Sequence, residues 1–364
     1  MDSAAANALR SLVDRSGYRT YHLAFGDGNL NHPKWRRFAD RLEDPLRTLV
    51  EMFLLQRPVD ADRAKTLLGK ALAASLIEAG VLQPDGSALR TTGLSLISFR
   101  SILFFFELTA KPRVYFNLDS VALGVYQHPA RSGVALDLCS GTGLQAMIAA
   151  QHARRAYAVE IDERATAIAG INLMLNDLQE RVTMINAPLE EYAAQVREPF
   201  HLITFNPPQL PAPPGIDYAV GSGGADGLAM NRLVLELYLP HLAENGSMEF
   251  TGCGLGRDGN PLFIEELAPM LADHGAHGHA QLIGLTELHR GDRIYEALVQ
   301  TAAFSNNIAV ERSHTIFEDH FRTLGRNEMY TFFMRVEKSP RAIPNSDRRI
   351  TVANLAETGK DWLA

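Results

Sequence analysis

The sequence is poor in cysteine, and its two thiols, Cys139 and Cys253, cannot staple a secreted disulfide scaffold of this size. No C-x-x-C or Cys/His spacing suggests zinc, and the twelve histidines form no H-x-x-x-H pattern that reads as a metal site. No metal is therefore expected. No apolar stretch approaches the roughly 18 residues that a membrane-spanning helix needs. The opening MDSAAANALRSLVDRS has no apolar core of the kind a signal peptide carries, so a cytoplasmic protein with no membrane partner is expected. An excess of positive charge is also missing. The 35 Lys and Arg against 42 Asp and Glu leave a net charge of −7, which weighs against nucleic acid held by phosphate neutralisation. No internal repeat suggests a solenoid. What the chain does have is 46% apolar and 21% charged residues over 364 positions, enough for two packed domains.

The texture changes near residue 112. Before it, Asp44-Pro45 opens a helical stretch, Val59-Asp60 a second, and a third ends at Gly80. Pro84-Asp85-Gly86 then marks a turn between two short extended runs. Helices followed by a small hairpin predict a winged-helix-like domain over 1–112. Its third helix has only Lys70 as a cation, so a lid or a homodimer contact is expected of it before DNA docking. From 131 onward strands and helices alternate, which predicts a mostly parallel sheet. Strands are expected at 134–138, 156–160, 182–185, 200–205, 247–252, 279–285 and 329–336. A long helix is expected over 228–242, an insertion over 286–328, and a loose polar tail over 341–364.

The first of these strands runs into Asp137-Leu-Cys-Ser-Gly-Thr-Gly143. Glycines there let the backbone approach a ligand, and a helix N-terminus follows. Glu160 closes the second strand, where a carboxylate can take both hydroxyls of a ribose. The fourth strand ends in Asn206-Pro207-Pro208-Gln209.

The order of D-L-C-S-G-T-G at 137–143, V-E-I-D at 159–162, N-x-x-x-N at 172–176 and N-P-P-Q at 206–209 resembles the class I S-adenosylmethionine-dependent methyltransferases. Within them it is similar to the small-domain branch that includes release-factor glutamine and base amino-group methyltransferases. The glycine-rich run from Gly221 to Gly246 adds to the likeness. The resemblance implies a Rossmann-like, mostly parallel α/β sheet of seven strands over 113–340. It implies S-adenosylmethionine held by Asp137, Ser140, Gly141 and Gly143, with Glu160 on the ribose and Ile161, Asn186 and Ala187 at the adenine. Pro188 departs from the branch, since proline offers the adenine neither a side-chain acceptor nor an N–H.

In that branch the Asn side chain and the first Pro carbonyl receive the hydrogens of a planar amine. The resemblance thus makes Asn206, also beside the cofactor, and Pro207 catalytic positions, and Gln209 is expected as a third, helping Asn206 to orient the acceptor. The aromatic residue usual at the fourth place is here Gln209, which hydrogen-bonds but does not stack. That departure favours a nitrogen, or a sulfur, of a small polar metabolite such as an amino acid or amine. The alternatives are a macromolecular acceptor, either a base amino group or a protein glutamine, and a cyclase or lyase releasing methylthioadenosine. Further substrate contacts are expected from Tyr115, Asn117, Asp119, Tyr218 and Arg293.

Overall fold

The computed structural model describes residues 1–24, 32–109, 111–130, 133–218, 221–338 and 349–354. Helices α1 (Ser3–Arg15), α2 (Tyr18–Leu23) and α3 (His32–Ala39) come first. The Asp2 carboxylate caps α1 by accepting from the Ala5 N–H at 2.8 Å. Helix α4 (Leu46–Leu49) winds directly into a π-helical turn, Val50–Leu54, whose residues are all buried. Strand β1 (Val59–Asp60), α5 (Ala61–Leu68), α6 (Lys70–Glu78), β2 (Leu82–Asp85) and β3 (Ala88–Thr91) follow, with the strands paired antiparallel in the order β1-β3-β2. A separate hairpin, β4 (Leu94–Phe99) and β5 (Ile102–Glu107), leads to α7 (Leu118–Tyr126).

The main sheet begins at β6 (Val134–Leu138), every residue of which is buried. A strand covered on both faces has no polar side to alternate with, and VALDL reads accordingly. Then come α8 (Leu144–Ala150), β7 (Arg155–Glu160), α9 (Glu163–Leu175), β8 (Val182–Asn186), α10 (Leu189–Gln195), β9 (Phe200–Phe205), α11 (Ala229–Tyr238) and β10 (Leu242–Gly256). The chain closes with α12 (Phe263–Asp273), β11 (Ala276–Glu287), α13 (Arg293–Asn306), α14 (Val310–Leu324), β12 (Glu328–Lys338) and β13 (Ile350–Asn354).

The sheet order is β13-β11-β12-β10-β9-β6-β7-β8, with β12 antiparallel to both neighbours. The chain runs outward from β6 to β8 and then returns to β9 on the other side of β6. That reversal opens a crevice at the carboxyl ends of β6 and β9, where open α/β sheets bind ligands.

The architecture is the expected α/β one, with three corrections. The sheet has eight strands rather than seven. Part of the stretch read as a loose polar tail is β13, paired parallel to β11 from Gly278↔Ile350 to Leu282↔Asn354; 341–348 and 355–364 lie outside the described residues. The helix expected over 228–242 is α-helical only to Tyr238; it tightens into a 3-10 turn, Leu239–His241, at Pro240, and Asn245-Gly246 is a bulge within β10 rather than a helix stop before it. At Gly246 a Cβ would stand 2.8 Å from the Phe200 carbonyl oxygen, so the strand can cross there only without a side chain.

The N-terminal region packs on the α8–α9 face, in one apolar cluster with Phe104, Phe105 and Phe106. Two asparagines, Asn172 in the last turn of α9 and Asn176 at its C-cap, make that docking specific. Asn172 accepts from Phe105 N–H at 2.7 Å and donates to Phe105 O at 3.0 Å; Asn176 does the same to Leu103 at 3.0 and 2.7 Å. Each side-chain amide thus replaces a missing strand partner along the free edge of β5.

Candidate functional site

A cleft of about 900 Å³ opens at the carboxyl ends of β6, β7 and β9. Asp137 is the last residue but one of β6 and is only 2% exposed. Its Oδ1 accepts from Thr204 Oγ1 at 2.9 Å, on the neighbouring strand and in register with it, and its Oδ2 accepts from the Ala146 N–H at 3.3 Å. Burial pushes this carboxyl up to about 7, against the partial relief those donors give. The loop that follows turns sharply: Cys139, Gly141 and Gly143 have φ of 54°, 50° and 76°. Ser140 closes the turn by donating from Oγ to the Asp137 carbonyl at 2.8 Å. Gly143 takes a left-handed φ of 76° that favours glycine, and a Cβ there would stand a tight 3.3 Å from the Ala169 Cβ where α8 starts beside α9.

Glu160, at the end of β7, faces this loop. Its Oε2 accepts from the Gly141 N–H at 2.8 Å and its Oε1 from the Asp162 N–H at 2.9 Å. Desolvation raises its pKa while these two backbone donors hold it down. Each oxygen keeps a second lone pair, so the carboxylate can still receive two hydroxyls. Ile161 follows with 68% of its surface exposed, an apolar side chain left on the cleft wall with nothing packed over it. Ala187, Pro188, Leu189 and Glu190 form the facing edge. A carboxylate with room for two hydroxyls, an uncovered apolar wall beside it and a glycine turn are a donor set that fits S-adenosylmethionine.

At the other end of the cleft, Asn206 and Gln209 follow β9. Asn206 Oδ1 accepts from Thr251 Oγ1 at 2.6 Å and its Nδ2 donates to Ser120 Oγ at 3.1 Å, which fixes the orientation of the amide. Gln209 Nε2 donates to Asp119 Oδ2 at 2.8 Å. Tyr115 donates its hydroxyl to the same carboxylate at 3.2 Å. Burial raises the pKa of Asp119, and the donors around it lower it. Pro207 lines the wall between them. The glycine-rich loop backs this segment: at Gly227, with φ 86°, a Cβ would stand 2.7 Å from the Gln209 carbonyl oxygen and 2.5 Å from that of Cys253.

The cleft thus brings together Asp137, Ser140, Gly141, Glu160, Ile161, Ala187, Asn206, Pro207, Gln209, Tyr115, Asp119 and Tyr218. Gly143 stands just behind the turn, at the start of α8. Two expectations need correction. Asn186 does not line the cleft; its amide donates to the carbonyls of Glu160 and Ile161, pinning the end of β7 from behind. Arg293 does not line it either, because it begins α13 with the side chain outward, while Ile294, Thr301 and Ser305 on that helix face inward. Asn117 lines the cleft and is also the N-cap of α7, in a capping box with Ser120. The insertion expected over 286–328 consists mainly of the α13–α14 hairpin, whose Ile294, Thr301 and Ser305 line the cleft. Tyr218 cannot serve as a free stacking face, since it is buried and its hydroxyl donates to the Pro211 carbonyl at 3.0 Å. Phe205 is fully buried and stacked on Phe250.

Some contributors escaped the sequence reading. Thr204 carries the hydroxyl that Asp137 accepts, and Thr251 and Ser120 lock Asn206. Asn172 also donates to the Thr142 carbonyl at 2.9 Å, so the residue that docks the N-terminal hairpin braces the glycine turn. The N-x-x-x-N spacing was the available signal. Among the described residues no group of His, Cys, Asp and Glu could hold a metal, and no helix is long and apolar enough to cross a membrane.

Residues 121–212 match a family described as the methyltransferase small domain, and residues 28–92 match a domain of unknown function, DUF7059. A ribosomal protein uL3 glutamine methyltransferase of Bradyrhizobium diazoefficiens is 33% identical over 168 residues, 43% of this chain and 50% of that protein. A tRNA1(Val) (adenine(37)-N6)-methyltransferase of Pasteurella multocida is 33% identical over 104 residues, 28% of this chain and 43% of that protein. A release factor glutamine methyltransferase of Mycolicibacterium smegmatis is 27% identical over 132 residues, 34% of this chain and 46% of that protein. The chain therefore spans half or less of the length of these curated relatives. Their names correct the small-metabolite acceptor and the reading against nucleic acid, because they specify a ribosomal protein, a release factor and a tRNA. The charge summed over the whole chain does not describe the rim of one cleft, and a hydrogen-bonding side chain at position 209 does not by itself restrict the acceptor to a small molecule.

Proposed function

We propose, from the premise that this chain belongs to the class I S-adenosylmethionine-dependent methyltransferases of the small-domain kind, that it methylates a nitrogen on a macromolecule, the side-chain amide of a protein glutamine. One observation carries the reading: a single cleft is lined both by the Asp137–Gly141 turn with Glu160 and by Asn206 to Gln209. S-adenosylmethionine supplies an electrophilic methyl on a sulfonium. Asp137 and the Ser140–Gly143 turn hold its methionine end, Glu160 receives the ribose hydroxyls, and Ile161 and Ala187 sandwich the adenine edge. Asn206, locked by Thr251 and Ser120, orients the acceptor nitrogen for in-line attack, so most of the catalysis is positioning.

The side chain at 209 supports an amide over a base. A primary amide is small and hydrogen-bonds on both sides, whereas a purine taken out of its stack needs an aromatic face to replace it. Position 209 offers an amide, and the neighbouring Phe205 and Tyr218 are spent in packing. A base amino group is the second reading, favoured by the tRNA-modifying relatives. A substrate in translation implies a cytoplasmic enzyme. The N-terminal region, 1–112, braces the cofactor turn through Asn172 and so acts as part of the catalytic unit.

The test is transfer of label from methyl-labelled S-adenosylmethionine to ribosomes, release factors and tRNA, each offered separately. Label in a protein fraction supports the main reading, and label in tRNA moves the account to the second. Tight cofactor binding with no label in any fraction overturns both.

A further inference from the structure

The acceptor end of the cleft already holds an amide nitrogen. Gln209 Nε2 donates to Asp119 Oδ2 at 2.8 Å and to Asn206 Oδ1 at 3.2 Å, so both of its hydrogens are engaged. The two acceptors are themselves held from behind. Thr251 donates to the Asn206 oxygen at 2.6 Å, and the Ser120 N–H donates to Asp119 at 2.8 Å. The far end of the Gln209 amide is not so served: Oε1 is buried with no hydrogen-bond partner among the described residues, in a side chain whose residue is 7% exposed. An unpaired buried carbonyl costs about 1–3 kcal/mol. The group is thus oriented by its nitrogen alone, in a seat of two acceptors that fits an –NH2.

We propose that the Gln209 carboxamide is an internal stand-in for the acceptor, filling the seat between Asn206 Oδ1 and Asp119 Oδ2 until a primary amide from the substrate displaces it. The inference rests on the amide reading above and deepens it: it names Asp119 as the second acceptor of the reacting –NH2. On displacement the incoming nitrogen places one hydrogen on Asn206 and one on Asp119. Its lone pair forms the bond to the methyl carbon, the carbon–sulfur bond breaks with its electron pair left on sulfur, and one nitrogen proton passes to the Asp119 carboxylate. Burial favours a carboxylate that accepts such a proton. An aromatic residue at 209 has no –NH2 and cannot fill the seat, so this chain carries a selectivity filter that the Asn-Pro-Pro-aromatic pattern lacks.

The experiment needs no knowledge of the natural acceptor. Wild-type, Gln209→Ala, Gln209→Ser and the double variant Gln209→Ala/Asp119→Asn are incubated with S-adenosylmethionine and N-acetylglutamine amide. The product heavier by one CH2 is then quantified by mass spectrometry. Emptying the seat removes a charge-assisted competitor, so Gln209→Ala or Gln209→Ser should yield about tenfold more methylated amide than wild type. The double variant should lose that gain by about tenfold or more. Cofactor affinity by calorimetry confirms that each protein is folded and that Asp119 acts on the acceptor rather than on the cofactor. Variants that bind cofactor normally but methylate the amide no better than wild type overturn the stand-in. If those variants fail while wild type methylates a protein fraction, the stand-in falls and the proposed function stands. If no fraction is methylated by any of them, both fall.

Discussion

Cofactor binding should release a proton, and the proton should come from Asp137. The carboxyl is 2% exposed, and burial raises it from its ordinary 3.8 to about 7. That is roughly three units at about 1.4 kcal/mol each, an order of 4 kcal/mol. A raised carboxyl binds its proton more tightly in the folded chain than in the unfolded one. Its contribution to stability is therefore full below the unfolded value near 4 and is lost as pH rises to about 7. The cationic sulfonium and ammonium of S-adenosylmethionine favour the ionised carboxylate, so binding below pH 7 must first expel the proton. Affinity should weaken about tenfold per unit below pH 7 and level off above it. Calorimetry in two buffers of different ionisation enthalpy counts the protons directly. About one should leave near pH 6 and almost none near pH 8, and Asp137→Asn should release none at either. A wild-type Kd that stays constant between those pH values, with no proton released, would refute the assignment of the buried charge to the cofactor.

Three further outcomes follow from the same geometry. Replacing Glu160 by Ala frees the Gly141 and Asp162 N–H groups and removes the ribose seat; cofactor Kd should rise by about tenfold or more, and a change under twofold contradicts the role. Asn172→Ala leaves the Phe105 backbone pair and the Thr142 carbonyl buried without partners. It should cost about 2–4 kcal/mol in urea unfolding, and a loss under about 0.5 kcal/mol would mean the hairpin is not docked through it. Burial pushes the Cys253 thiol up to about 12 and raises Cys139 as well. Neither should react with iodoacetamide at mildly alkaline pH until the protein is unfolded, and rapid labelling of native protein would place a thiol in a wetter site than this cleft.

The sheet and cofactor end were legible because their sequence signals are local. Val134–Leu138 and Phe200–Phe205 are short apolar runs closed by chemistry-bearing residues, and their bounds match β6 and β9. The α13–α14 hairpin was legible too, had its period been followed. Tyr295, Leu298, Val299, Ala302 and Ala303 repeat at helical spacing on the buried face of α13. Most of the scattered His, Arg and Asn of that stretch lie on its outer surface, where Arg290 pairs with Glu311 and Glu318, whereas His314 is buried against Glu296. Strand β13 was beyond reach, since ITVAN acquires a partner only when β11 offers its edge. Gln209 shows the opposite limit. Its identity was plain, and its effect was read as a smaller acceptor, because the Asp119 carboxylate that gives its amide a purpose lies 90 residues away.

The most direct test of the central claim is to find the methyl group. Ribosomal and release-factor proteins treated with this enzyme and labelled S-adenosylmethionine would be digested and sequenced by tandem mass spectrometry, with Asn206→Ala run beside the wild type. The account predicts a methyl on a glutamine side-chain nitrogen, present with wild type and absent with the variant while the variant still binds cofactor. Label that appears only as a methylated base in RNA, or that persists unchanged in Asn206→Ala, would contradict it.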